Sequence, residues 1–91
     1  MRPKLYSFEI LPYLQEILSK LSKKDNLLYQ RIMKKIEEVI TSGDVEHYKN
    51  LRYDMSDRKR VQIEHFVLVF KVIKDKILFV DFDHHDNIYK R

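Results

Sequence analysis

The stretch Arg60-Val61-Gln62-Ile63-Glu64-His65-Phe66-Val67-Leu68-Val69-Phe70-Lys71-Val72 decides the fold. In its first part Val61 and Ile63 alternate with Arg60, Gln62 and Glu64, the period-two pattern of a strand with one buried face. Phe66 to Phe70 is then apolar without a break, which reads as a buried strand of ordinary length. A turn near Glu64 and His65 joins the two. Downstream, Lys74-Asp75-Lys76 marks a hairpin tip, and Ile77 to Phe82 reads as a third strand. It runs into the polar segment Asp83-His84-His85-Asp86-Asn87, after which a short turn or helix carries Ile88 and Tyr89.

Upstream of Gly43 the period changes. Leu11, Leu14, Leu18 and Leu21 recur at helical spacing behind Pro12, which a first helical turn tolerates. Asp25 is placed to cap a second helix, in which Leu28, Ile32, Ile36, Val39 and Ile40 form one apolar stripe. Gly43 suits its left-handed C-cap. These stripes read as core, not as ligand surface. With a short opening strand at about Leu5 to Glu9, the expected architecture is α+β: β-α-α-β-β-β, a helical hairpin packed on one face of a small, mostly antiparallel sheet.

The chain has 91 residues with 44% hydrophobic composition. That suits a single domain over residues 1–91. It has no cysteine, so disulfides, thiolate metal sites and cysteine nucleophiles are excluded, in keeping with a reducing interior. No apolar run approaches the roughly 20 residues of a membrane span, and a cytoplasmic protein is expected. The net charge of +4 arises from 18 basic and 14 acidic residues, so only local clustering can make a nucleic-acid footprint.

Such clustering occurs. Lys49, Arg52, Arg58, Lys59 and Arg60 lie close together with Tyr48 and Tyr53, against Asp54 and Asp57. Basic groups with interleaved aromatics suit a phosphodiester backbone with stacked bases, and they equally suit a solvated strand edge guarded by charge. If the hairpin covers one sheet face, Arg58, Arg60, Gln62 and Glu64 point to the other, towards solvent. Histidine titrates near neutrality, so His47, His65 and His85 are candidate proton carriers. His84 and His85, being neighbours on an extended segment, point to opposite sides, and no metal site is expected. A helical turn after His85 would bring Tyr89, four positions on, to the same side. A single glycine rules out a glycine-rich phosphate loop, and no serine sits in a nucleophile elbow. RNA cleavage needs no protein nucleophile, because the 2′-hydroxyl attacks the adjacent phosphate once basic groups orient it and stabilise the charge.

In the order of these segments the chain resembles the RelE/ParE toxin superfamily, and archaeal RelE proteins in particular. The likeness covers the helical hairpin, His47-Tyr48-Lys49-Asn50-Leu51, the Arg60 to Val72 stretch, and the ending Asp83-His84-His85-Asp86-Asn87-Ile88-Tyr89. It implies a type II toxin: a ribosome-dependent, metal-independent endoribonuclease that needs no cofactor, cuts mRNA in the ribosomal A site, and is silenced in a hetero-oligomer by a RelB-like antitoxin. Carried over by position, Arg58, Arg60, His85 and Tyr89 are the catalytic candidates, with Lys49, Arg52 and Lys59 as RNA-binding residues. Tyr89 matches the tyrosine that stacks on or orients the scissile nucleotide. Two positions depart from the pattern. Val67 stands where bacterial RelE has an arginine, and His85 stands for the arginine four residues before the tyrosine, as in the YafQ-like branch with its histidine chemistry. The resemblance therefore also allows a ParE-like inhibitor of DNA gyrase, or a non-catalytic relative that binds the antitoxin alone.

Overall fold

A computed structural model describes residues 7–42 and 58–90, with side chains as far as Ile88. The element order is β1 (Ser7–Ile10), α1 (Pro12–Lys24), α2 (Asn26–Thr41), β2 (Lys59–Ile63), β3 (Phe66–Ile73), β4 (Lys76–His84) and α3 (His85–Lys90). This is the expected α+β order, closed by a short helix. The start of β1 expected at Leu5 and the cap expected at Gly43 lie outside the described residues.

The helical hairpin forms where periodicity places it. Pro12 occupies the first turn of α1, where its missing N–H leaves no bond unmade, and Leu14 and Leu18 are buried. Asp25 serves both helices: its N–H donates to the Leu21 carbonyl at 2.8 Å, and its carboxylate accepts from the Leu28 N–H at 3.2 Å. One residue thus ends α1 and caps α2, so the helices turn back sharply. Leu28, Ile32, Ile36 and Val39 then face inward along α2.

The sheet order is β1-β4-β3-β2, antiparallel except that β1 lies parallel to β4. Pairing sets Val61 opposite Leu68 and Leu68 opposite Phe82 on the face beneath the hairpin. Ile63, Phe70, Ile77 and Phe79 join them in the main core with the buried leucines and isoleucines of the helices. Between Val69 and Phe70 the register shifts: Val69 faces Asp81 while Phe70 faces Phe79, leaving Val80 as an extra residue in β4. Such a bulge changes which residues of a strand face inward beyond it.

The second face is not left wholly to solvent, as the sequence reading expected. Val67, Val69 and Ile88 form a small buried cluster there with Val80 packed against it. Ile88 comes from α3, so the C-terminal helix folds back over the sheet. That explains why β3 is apolar at every position from Phe66 to Phe70: it is covered on both sides. Among the described residues no helix is long and apolar enough to cross a membrane.

Both hairpins have two-residue loops opened by a residue with positive φ, Glu64 (56°) and Lys74 (55°). Glycine is favoured there, because a side chain in the left-handed region costs about 1–2 kcal/mol. Glycine's freedom in the unfolded chain returns part of that gain. Lys74→Gly is therefore expected to stabilise the domain by roughly 0.5–1 kcal/mol in urea unfolding, while Asp75→Gly should not stabilise it.

Candidate functional site

Strand pairing fixes what lies on the second face. Arg60 is opposite Val69, and Val69 opposite Asp81; Gln62 is opposite Val67, and Val67 opposite Asp83. Each row therefore runs from a polar residue on edge strand β2, across a buried valine on β3, to a carboxylate on β4. With neighbouring strands about 4.8 Å apart, the Arg60 and Asp81 backbones are separated by roughly 10 Å. Arg60 is half-buried, with its Nε shielded from solvent. The arginine is thus held against the sheet instead of waving from it.

The valine centre of these rows is where α3 docks. Ile88 packs on Val67 and Val69, and position 89 follows directly. A basic residue at 67 would put charge beneath Ile88; valine there makes an apolar seat for the helix instead. Asp83 ties the same helix to β4, its Oδ1 accepting from Asn87 Nδ2 at 3.1 Å and from the His84 N–H at 2.7 Å. Asp81 accepts from the Phe82 N–H at 2.8 Å.

His85 is the first residue of α3. Its N–H donates to the His65 carbonyl at 2.9 Å, and its half-exposed ring places Nδ1 3.7 Å from Asp86 Oδ1. His84 ends β4, with Nδ1 accepting from the Asp86 N–H at 3.3 Å and lying 4.0 Å from Asp86 Oδ2. The two imidazoles therefore flank one carboxylate. The expectation that they point to opposite sides assumed an extended segment, whereas the chain passes from strand to helix between them. Among the described residues no cluster of three or more histidine, aspartate or glutamate side chains is arranged to hold a metal.

The sequence-based candidates divide by position. Arg60 and the backbone of α3, with His85 at its start and position 89 one turn later, share the second face. Lys59 does not: it pairs with Phe70, on the face beneath the helices, and is only 8% exposed. Arg58 is half-buried just before β2 begins. Lys49, Arg52 and the Tyr89 side chain lie outside the described residues, as do His47, Tyr48 and Tyr53. Glu64, expected beside Arg60, instead leaves the strand at the turn and pairs with Arg31 of α2. Gln62 turns its amide back to the Glu64 carbonyl at 2.9 Å.

Three residues escaped the sequence reading. Lys71 lies on the second face, opposite Leu78, and alternation carried one step beyond Phe70 would have shown it. Asp81 and Asp83 place negative charge beside Arg60, so this face is mixed and not simply basic. Their orientation depends on the bulge at Val80, which no simple alternation reveals.

No protein-family model matches the chain. A Methanocaldococcus jannaschii protein that carries the toxin name RelE4 is 51% identical over 90 residues, spanning 96% of this chain and 94% of the relative. Among solved structures, the free Escherichia coli toxin RelE with two arginines replaced by alanine superimposes with a TM-score of 0.70. It is 21% identical, over 94% of this chain and 92% of the toxin. A chain of the RelB–RelE antitoxin–toxin complex from Methanococcus jannaschii gives 0.61 at 18% identity, over 89% and 94% of the respective chains.

Proposed function

This chain belongs to the RelE toxin family of type II toxin–antitoxin systems, and from that premise we propose that it is a metal-independent endoribonuclease that cuts mRNA on the ribosome. A RelB-like antitoxin is its silencing partner. One observation supports the proposal: Ile88 docks α3 on Val67 and Val69, so the helix that starts at His85 and includes position 89 lies on the sheet face that carries Arg60.

In the proposed reaction the 2′-oxygen of the nucleotide bonds to the adjacent phosphorus as the bond to the 5′-oxygen of the next nucleotide breaks. A 2′,3′-cyclic phosphate and a 5′-hydroxyl result. Arg60 supplies fixed positive charge to the phosphoryl oxygens as negative charge builds on them. His85, at the rim and half-exposed, carries a proton between the reacting oxygens and solvent. Tyr89 is the residue proposed to stack on the nucleotide and align the attack. Asp81 and Asp83 lower the field of the face, which weakens capture of free RNA and leaves orientation to the ribosome.

Toeprinting on ribosomes programmed with mRNA tests this. The wild-type chain is expected to give new A-site truncations, while the same mRNA free in solution stays intact. Equal cutting of free RNA, or no cutting on ribosomes, would overturn the proposal.

A further inference from the structure

We propose that Arg31, Glu64 and the backbone carbonyl of His65 form a clamp that positions His85, a role that rests on the nuclease reading above. None of the three need touch RNA.

The inference starts from the size of α3. Six residues are far below the roughly 12–15 at which an isolated helix becomes even marginal in water, so its placement is set by its contacts. Ile88 and Asn87 hold its later residues to β3 and β4. Its first residue is held by a different element. The His85 N–H bonds to the His65 carbonyl, in the turn between β2 and β3. The same turn grips the preceding residue: the His65 ring stacks on His84 at 6.4 Å and 16°, and the next residue, Phe66, meets His84 edge-on at 5.7 Å.

The turn itself is held from behind. Glu64 sits at φ 56°, a conformation a glutamate does not choose unaided. Its carbonyl accepts from Gln62, and its carboxylate pairs with the Arg31 guanidinium of α2. A continuous path thus runs from the helical hairpin through the turn to the backbone of His85. The Arg31 and Glu64 side chains are 47% and 49% exposed, and ion pairs of that kind add little to global stability. What the pair does is set where the turn lies, and with it the His65 carbonyl.

The experiment uses the full chain with Arg31→Ala, Glu64→Gln, and the charge exchange Arg31→Glu with Glu64→Arg. Amide hydrogen exchange at His85 is read on the free protein, and kcat and KM on programmed ribosomes. Each single variant is expected to speed exchange at His85 about tenfold. Each should also lower kcat about tenfold at unchanged KM, with little change in unfolding midpoint. The exchange of charges should restore most of both. Unchanged exchange at His85 in both single variants overturns the clamp, and so does faster exchange with wild-type kcat. If the wild-type chain cuts nothing on ribosomes, the nuclease reading fails instead, and His85 exchange still decides whether the clamp holds α3.

Discussion

Arg60→Ala is expected to slow ribosome-dependent mRNA cleavage by on the order of a hundredfold, with the domain still folded. Removing one preorganised donor from a developing oxyanion typically costs about 3 kcal/mol, which is a factor of roughly 100 in rate. Arg60 qualifies because it is held half-buried beside the valines on which α3 docks. A guanidinium free in solvent would stabilise a transition state far less, since water screens it and it must reorganise during reaction. Lys59→Ala is the informative contrast. It removes a neighbouring basic residue from the opposite face, so it should alter stability and leave the cleavage rate near wild type. Single-turnover cleavage of A-site mRNA, with circular dichroism as the folding control, separates the two. Wild-type-like cleavage by Arg60→Ala combined with His85→Ala would remove both residues from the reaction.

Phe70→Ala carries the largest expected cost to stability. Phe70 is fully buried at the centre of β3, with its ring 5.8 Å from that of Phe79. Truncating such a phenylalanine removes its transfer free energy and leaves a cavity, together about 3–5 kcal/mol. Small domains have only about 5–15 kcal/mol in total. At roughly 4–8 °C per kcal/mol for a domain of this size, the melting temperature should fall by at least about 12 °C. The loss should appear in calorimetry as a lower Tm, and a fall of only a few degrees would mean that the core around Phe70 relaxes to fill the gap. The variant should also lose cleavage at temperatures where it unfolds, unlike Arg60→Ala, which separates a structural loss from a chemical one.

The fold was readable because its signals are local. Pro12, Asp25 and the leucine and isoleucine spacings mark the helices, and Val61, Ile63 and the Phe66 to Phe70 run mark the strands. The faces were readable only where alternation is unbroken, as at Arg60. Lys59 was grouped with Arg60 by nearness in sequence, yet adjacent strand residues point to opposite faces. Glu64 was assigned to the sheet face although the turn begins there, and its partner Arg31 lies 33 positions away, beyond any local pattern. The apolar seat made by Val67, Val69 and Ile88 is likewise a tertiary fact. In sequence, Val67 reads only as a missing arginine, and the structure gives it an occupation.

The extra residue in β4 has a consequence for the whole C-terminal segment. Before Val80 the odd-numbered residues, Ile77 and Phe79, enter the main core; after it the even-numbered Phe82 does, while Asp81 and Asp83 emerge beside Arg60. The bulge therefore works like a shift of reading frame, translating one strand in two phases. Were Val80 held in ordinary alternation with no bulge, the aspartates would be driven into the oil of the core and Phe82 out of it, and the helix bearing His85 would set off from the wrong side of the sheet. Deleting Val80, by contrast, would straighten the strand and leave Phe82 inward and the aspartates outward. A site assembled from both sides of that frame shift depends on the bulge at Val80 that joins its two phases.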